Sequence, residues 1–434
     1  MAEKPRSTSL PDVAATQSCA RRLLRFRLHM LAGAAAIAAI TIATPAAADD
    51  PPPVLSVLVR NILDGWAVLD GDRRQPVVLD RLQVSGTVAF DRLGIEGLSL
   101  HGQIFRIAGS SLSERIGDVQ TADAIDAVPT MRLFEAWAEK RWGSADRSIA
   151  LRVGLMDLNA DFDSISAAGS FINSSHGVGA DLARSGLNGP SIYPVSAFGA
   201  RLDVAPWKRF AIRYALLDGV AGDPARPRAF VIARLAPRDG SLSIAQMDWR
   251  PNEKVHFAAG AWRYSRSTVT LDGAERGYRQ GVYAEAEGSL TKKISVWGRI
   301  GVDDGRVEVV SGYVGAGLLL KGAWAGRPDD SVGIAVARAY NSPQARRPSD
   351  LAPAETSVEL TYQFKLSPVL SAQPDFQYIF DPSLDHRARN AAVLGLRLIA
   401  SFGFPKPSPP TDPGDPTVKP PDPVPPDDSA TPSG

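Results

Sequence analysis

Short segments in which apolar and polar side chains alternate recur along most of the chain, and this pattern constrains the fold more than any other feature. In Glu355–Lys365, for example, Val358, Leu360, Tyr362 and Phe364 share one face. The opposite face carries glutamate, serine, threonine, glutamine and lysine. Strict alternation predicts β-strands with two chemically different faces, and about fifteen such strands can be counted between turns rich in Gly, Asp, Asn and Pro.

The length of these strands and the position of their aromatic residues favour a transmembrane barrel over a soluble sandwich. Segments of about ten residues match the length that a tilted strand needs to cross a membrane. Aromatic residues recur near strand ends, as they do in interface girdles: Trp142, Trp207, Tyr214, Trp249, Trp262, Tyr362, Tyr378 and Phe402. Bacterial barrels close with an even number of strands. The sequence therefore predicts an all-β, antiparallel transmembrane barrel of about sixteen strands, with one strand overlooked near Pro53–Val59 or Phe230–Leu235.

A long polar segment separates two of the predicted strands, Leu151–Leu155 and Ser196–Val204. It contains about forty residues, and an irregular loop of that length inside a compact domain is usually either functional or disordered. Both flanking strands have one apolar face and one face with an arginine, Arg152 in the first and Arg201 in the second. We expect the loop to fold inward into a water-filled barrel.

The two ends of the chain have compositions unlike that of the predicted barrel. A basic stretch from Arg21, an apolar stretch over Leu28–Ile42 and the small residues Ala46–Ala48 are typical of a signal peptide over 1–48. We expect a periplasmic lead-in over 49–78, the barrel over 79–404 and a disordered Pro-rich tail over 405–434. The only cysteine, Cys19, lies in the expected signal peptide, so the mature chain should contain no disulfide.

Charge and motif content exclude several functional classes. Lys and Arg number 48 against 47 Asp and Glu, so no basic excess indicates nucleic-acid binding. His176 lies beside two serines in F-I-N-S-S-H-G, but the chain has no G-x-S-x-G elbow for a nucleophilic serine. His and Cys residues also lack the spacing of a metal site. We expect no catalytic residues, no metal site and no cofactor.

Several sequence motifs, in their order along the chain, resemble those of the carbohydrate-selective porins of the OprB family. The motifs are F-E-A-W-A-E-K-R-W (134–142), L-R-V-G-L-M-D-L-N-A-D-F (151–162), S-I-Y-P-V-S-A-F-G-A-R-L (191–202), A-L-L-D-G (215–219), G-R-P-D-D-S-V-G-I-A (326–335), E-L-T-Y-Q-F (359–364), Q-P-D-F-Q-Y-I (373–379) and L-G-L-R-L (394–398). The resemblance covers most of the chain after the signal peptide, from Val84 to Phe404.

The resemblance implies a sixteen-stranded barrel in the outer membrane of a Gram-negative bacterium, through which sugars pass by diffusion. Outer-membrane lipid, the outer-membrane assembly machinery and the transported sugars are then the expected partners. The sequence leaves open whether the barrel forms a homotrimer and which sugar it prefers. An alternative interpretation is a general or structural barrel, or an adhesin, that binds the cell wall through the Pro-rich tail.

Charged residues around the long loop are the candidates for a channel constriction that contacts sugars. They are Arg152, Arg201, Arg213, Glu135, Glu139, Asp157, Asp161 and Asp163. If the loop folds inward, its carboxylates can face guanidinium groups of the wall across a gap that a sugar must thread. Each residue could equally be a solvated lumen charge or part of an ion pair that anchors the loop. A lumen charge in water should contribute only about 0–1 kcal/mol to stability. For Trp137, a lumen position and a girdle position are equally compatible with the sequence.

Overall fold

The computed structural model describes residues 53–71, 73–144, 146–233, 235–346 and 351–405. The predicted signal peptide over 1–48 lies outside these residues, as does the predicted tail apart from Pro405. None of the helices in the described part of the chain is long and apolar enough to cross a membrane.

Sixteen antiparallel strands form a closed barrel in which each strand pairs with its neighbours along the chain, and the first strand pairs with the last. The strands are β1 (Leu55–Asp70), β2 (Val77–Ala89), β3 (Leu98–Gly109), β4 (Thr130–Gly143), β5 (Ser148–Met156), β6 (Ala197–Trp207), β7 (Phe210–Asp218), β8 (Ser241–Asn252), β9 (Val255–Val269), β10 (Arg276–Ser289), β11 (Ile294–Asp303), β12 (Val310–Lys321), β13 (Ser331–Asn341), β14 (Ala354–Ser367), β15 (Leu370–Phe380) and β16 (Ala391–Phe404). The prediction of a sixteen-stranded barrel is confirmed.

In the described part of the chain, four short helices lie in the connections between strands. They are α1 (Ser113–Ile116), α2 (Ser174–Gly177), α3 (Ala180–Ala183) and α4 (Pro343–Arg346). Single 3₁₀ turns occur at Asp91–Leu93, Ala168–Ser170 and Pro382–Leu384.

The barrel begins earlier than the sequence analysis placed it. Strand β1 lies within the segment 49–78, so that segment is not a periplasmic lead-in. Of the two places suggested for the overlooked strand, the region near Pro53–Val59 is correct, because β1 starts at Leu55. The region near Phe230 instead belongs to the β7–β8 loop (219–240), where the Phe230 carbonyl accepts a hydrogen bond from the Leu133 amide at 2.7 Å.

The alternating faces point to two different environments, as predicted. Leu394, Leu396 and Phe402 of β16 are exposed on the outer surface, whereas Arg397 is buried on the inner face. Trp142, Trp207 and Trp249 are also exposed near strand ends. Trp262 is an exception among the predicted girdle residues, because its side chain points inward and packs on Tyr264 with 6.0 Å between ring centroids.

Two loops fold into the barrel and pack against opposite parts of its wall. The β5–β6 loop (157–196) places Leu158, Phe162 and Leu182 against inward residues of β7, β8 and β9. The β3–β4 loop (110–129) packs Leu112, Ile116 and Ile125 against the inner face of β1 and β2. The inward folding of the β5–β6 loop agrees with the sequence expectation, but that of the β3–β4 loop was not predicted.

A barrel closed by hydrogen bonds between β1 and β16 should resist SDS until it is heated. We expect unboiled protein to migrate differently from boiled protein on an SDS gel, because closure leaves no strand edge from which unfolding can start. Circular dichroism of the unboiled form should be dominated by β-structure. A helix-dominated spectrum, or identical migration before and after boiling, would contradict this architecture.

Candidate functional site: a charge network beside an infolded loop

Arg152 of β5 and Arg201 of β6 lie directly opposite each other and share two carboxylates. Glu139 of β4 accepts hydrogen bonds from both guanidinium groups, each at 2.9 Å. Asp161 of the β5–β6 loop forms an ion pair with Arg152 at 3.1 Å and also contacts Arg201. The loop is thereby joined to the wall through a carboxylate between two arginines.

The network continues along the wall through Arg213 of β7. Its guanidinium contacts Asp203 of β6 at 3.1 Å and Asp248 of β8 at 2.9 Å, and it donates to the Asp161 carbonyl at 3.0 Å. Asp248 in turn lies 3.0 Å from Nε2 of His256 in β9. Donors and acceptors therefore alternate along the inner wall from β4 to β9. We call Glu139, Arg152, Asp161, Arg201, Asp203, Arg213, Asp248 and His256 the charge network.

The carboxylate of Asp161 is held ionised by the arginines around it. Burial alone would raise the pKa of Asp161, but Arg201, Arg152 and Arg213 outweigh burial and keep the pKa below its usual value. The Asp161 side chain contacts the guanidinium groups of Arg152 and Arg201 directly. The expected gap between the loop carboxylate and the wall arginines is therefore absent at Asp161.

Access to the lumen differs sharply among the three arginines. The Arg201 side chain is only 3% exposed, whereas that of Arg213 is 28% exposed. Arg201 also contacts Glu139, Asp161 and Asp203 together. The expectation of a water-exposed lumen charge therefore does not describe Arg201, which joins three carboxylates, whereas Arg213 is partly exposed and also paired with Asp203 and Asp248.

Trp137 of β4 faces the lumen and lies next to the charge network. Its ring stacks on His101 of β3 with 4.8 Å between ring centroids, and Cζ of Arg152 lies 3.9 Å from the Trp137 ring centroid. The indole donates a hydrogen bond to Glu135 at 3.1 Å. Glu135 also accepts from the Asp157 amide at 3.3 Å, where the loop leaves β5. Glu135 and Asp157 thus lie at the start of the loop rather than within the charge network.

Asp163 lies only two residues after Asp161 but is directed to a different part of the wall. It forms an ion pair with Arg299 of β11 at 2.8 Å, and both side chains are about fully buried. Arg299 also donates to the carbonyls of Asp163 at 2.7 Å and His176 at 3.0 Å. Asp163 is therefore a loop anchor and not a lumen-lining residue.

Buried carboxylates of β14 hold both infolded loops by their backbone amides. Glu355 accepts from Val119 at 2.9 Å and from Gln120 at 3.0 Å. Glu359 accepts from Ile172 at 2.5 Å and from Asn173 at 3.0 Å. Alternation in the sequence predicts that Glu355 and Glu359 lie on the non-lipid face, but it gives no sign that they anchor the loops.

A third anchor joins the β3–β4 loop to the seam where the barrel closes. Arg397 of β16 pairs with Asp64 of β1 at 2.7 Å and with Asp123 of the loop at 2.9 Å. Asp123 also accepts from the Trp66 indole at 2.7 Å. The sequence signal for this anchor was a single arginine on the inner face of an otherwise apolar strand.

His176, the histidine weighed as a catalytic base, is completely buried under the loop. Its Nε2 lies 3.4 Å from Glu359, and the neighbouring Ser175 hydroxyl donates to the Gln120 carbonyl at 3.3 Å. Burial, together with Arg299, lowers the pKa of His176 to about 3. A neutral, inaccessible imidazole that is not bonded to either serine is a packing residue.

Asp181 in α3 is a buried carboxyl group of the β5–β6 loop whose ionisation should affect the docking of that loop. Burial and the nearby Asp163 raise the pKa of Asp181 to about 7. Because this pKa lies above the value of an unfolded aspartate, loop docking is most stable at low pH and weakens as the pH rises toward and through 7.

We therefore expect single-channel current to become noisier between pH 5 and pH 8 as Asp181 ionises, because an ionised buried carboxylate loosens the loop. Asp181→Asn should remove most of this change while leaving conductance at pH 5 as in the wild type. An Asp181→Asn channel with an unaltered pH dependence would show that other groups cause the noise.

A closed sixteen-strand antiparallel barrel with a charged loop folded into its lumen defines the porin class of outer-membrane channels. The sequence model of the carbohydrate-selective porin, OprB family, matches residues 73–402. The chain therefore belongs to the OprB family. It is accordingly a protein of the Gram-negative outer membrane.

Individual relatives are distant in sequence but similar in fold. Porin B of Pseudomonas aeruginosa is 22% identical over 207 residues, which are 38% of this chain and 46% of that protein. The chain thus matches less than half the length of this relative. A high-pH structure of Pseudomonas putida OprB superposes with a TM-score of 0.70 at 19% identity, covering 80% of this chain and 94% of that one. The outer membrane channel DcaP of Acinetobacter baumannii gives a TM-score of 0.52 at 11% identity, covering 80% of this chain and 96% of that one.

Proposed function

We propose that this porin lets sugars diffuse passively across the outer membrane and that they pass along the charge network. The observation that carries the proposal is the alternation of guanidinium and carboxylate groups from Glu139 to Asp248 on the inner wall. A sugar hydroxyl can donate to a carboxylate and accept from a guanidinium group, so a polyhydroxylated solute can replace lost water at each step.

The pairing of these charges suits rapid passage. Because Asp161 and Asp203 are already neutralised by arginines, a neutral solute meets strong hydrogen-bonding partners without a large unbalanced charge. Conduction requires binding that is weak enough to allow release. Trp137 packs between His101 and Arg152 and helps to hold the Arg152 guanidinium in place beside the lumen.

The proposal is tested in liposomes and planar bilayers with the purified porin. Liposomes should swell faster in glucose than in an uncharged non-sugar solute of equal size, and glucose should reversibly reduce the ion current. A barrel that conducts ions but does not discriminate between the two solutes would be a general porin. A barrel without conductance that binds cell-wall material would favour the structural alternative.

The proposal assigns the protein a transport role and no catalytic one, in keeping with the burial of His176. It also implies contact with outer-membrane lipid and insertion by the outer-membrane assembly machinery. A homotrimer remains part of the proposal, and its test is the mass of the complex extracted from membranes in mild detergent.

A further inference from the structure

The outer wall of the barrel has an open, apolar groove of about 920 Å³ across strands β6 to β12. Its floor is a row of three small residues that pair across neighbouring strands, Ala286 of β10, Gly298 of β11 and Ala316 of β12. In the same row, Phe257 of β9 pairs with Ala286, and Trp249 of β8 pairs with Phe257. Because the row changes from large aromatic to small side chains, the groove lies beside an aromatic ridge.

Stacked aromatic side chains of this ridge mark the depth of the groove in the membrane. Trp249 stacks on Phe257 with 5.8 Å between ring centroids, and Trp207 stacks on Phe210 with 4.8 Å. Exposed tryptophans are enriched at the membrane–water interface. The ridge lies next to the two-residue turns that join β6 to β7 and β8 to β9, at the opposite end of the barrel from the long loops. Since short turns of outer-membrane barrels face the periplasm, the groove lies in the inner leaflet.

Positive charge is concentrated in the turns next to the groove. The turns β6–β7, β8–β9 and β10–β11 carry five basic residues and one acidic residue. These residues are Lys208, Arg209, Lys254, Lys292 and Lys293, with Glu253 as the acidic one. The four other turns at the same end, 90–97, 144–147, 322–330 and 368–369, carry three basic and five acidic residues. The basic excess is therefore confined to the part of the rim that borders the groove.

Most of these basic side chains are not neutralised by the protein. Glu253 pairs with Arg209 at 3.6 Å. In the part of the chain that the structure describes, no carboxylate pairs with the ammonium groups of Lys208, Lys254 or Lys292, and all three side chains are exposed. A negatively charged group at the membrane surface can therefore approach these lysines.

We propose that the groove binds an anionic phospholipid of the inner leaflet, such as phosphatidylglycerol. One acyl chain lies over Ala286 and Gly298, and the phosphate lies against Lys254 and Lys292. The charge of the rim selects the anionic lipid, because a zwitterionic phospholipid fills the same groove but brings no net charge to the lysines. This binding does not depend on sugar transport, since the groove and the lumen lie on opposite faces of the wall.

Native mass spectrometry of the purified porin in mild detergent tests the choice of lipid. The wild type should retain phosphatidylglycerol in preference to phosphatidylethanolamine. Lys254→Gln/Lys292→Gln should weaken phosphatidylglycerol binding about thirtyfold, which corresponds to about 1 kcal/mol for each basic residue.

The matched control is Arg147→Gln/Lys365→Gln, which removes two exposed basic residues from the same end of the barrel on other strands. It should keep the wild-type affinity. Equal affinity of the wild type for the two lipids, or an equal loss in both double variants, would overturn the proposal.

Filling the groove tests whether the acyl chain lies in it. Phosphatidylglycerol with brominated acyl chains should quench the fluorescence of Trp249 in the reconstituted wild type, and Trp249→Phe should remove that part of the quenching. Ala286→Leu should abolish most of the quenching at Trp249 without any change of charge. Ala138→Leu, at an exposed outward alanine of β4, should leave it unchanged.

Undiminished quenching in Ala286→Leu, or a protein found in the groove in place of lipid, would contradict the assignment. If Ala286→Leu fails to reach the outer membrane, the lysine double variant decides, because its substitutions lie in exposed turns. Wild-type lipid affinity in that double variant would overturn the proposal.

Discussion

Replacing Arg299 by methionine should release the β5–β6 loop and widen the channel. Arg299 pairs with Asp163 at 2.8 Å and holds two loop carbonyls, and its removal leaves Asp163 and Glu285 buried without their cation. Removing one partner of a buried ion pair lowers the free energy of unfolding by about 3–5 kcal/mol. We expect higher and noisier single-channel conductance, together with a lower temperature for the gel shift of the barrel.

Arg250→Met is the matched control for this variant, because Arg250 is an exposed arginine of β8. It should change neither the conductance nor the heat-shift temperature appreciably. If Arg299→Met keeps the wild-type conductance and noise, the loop is held by its other contacts, and Arg299 is not its principal anchor.

Replacing Arg201 by alanine should disrupt the charge network at its most connected point. Glu139, Asp161 and Asp203 would lose their shared cation, and the network would gain net negative charge. The channel should then become more cation-selective, and glucose should block the ion current less. Because Arg201 is buried, we also expect a loss of about 3 kcal/mol in the free energy of unfolding, not the 0–1 kcal/mol of a solvated charge.

Arg141→Ala is the control that separates the loss of one positive charge from the loss of a buried arginine that joins three carboxylates. Arg141 contacts the same Glu139 carboxylate at 3.2 Å, but its side chain is about half exposed. Its replacement should alter stability by less than about 1 kcal/mol. Reversal potentials measure ion selectivity, and urea denaturation followed by gel shift measures stability. Equal effects of Arg201→Ala and Arg141→Ala on selectivity and stability would show that Arg201 does not hold the three carboxylates together.

Alternation in the sequence identified fifteen strands because most strands separate lipid from a polar interior. Alternation did not identify strand β1, and the reason is physical. Its inward residues Ile62, Trp66 and Val68 pack against an infolded loop and lie among the charged Arg60 and Asp64, so large apolar residues occur on both faces of the strand. Apolar residues on both faces weaken the alternation of apolar and polar residues in the sequence of a strand.

The charge network shows which part of a site can be read from sequence. The arginines at 152, 201 and 213 could be placed on inner faces, because period two fixes the side of the strand. Asp161 and Asp163 could not be distinguished, because the loop backbone between them turns one towards Arg201 and the other towards Arg299. Loop conformation depends on contacts as distant in sequence as that between Asn173 and Glu359, which no local pattern encodes.

The anchors on β14 also impose an order on assembly. The amide of Val119 donates to a carboxylate 236 residues later in the chain, and the amide of Ile172 donates to one 187 residues later. A nascent barrel that still lacks its last three strands therefore lacks the Glu355 and Glu359 anchors, although Arg299 of β11 can already hold the β5–β6 loop. The full set of loop contacts is complete only when β14 is in place, so the last strands of the barrel determine how firmly its two loops are held.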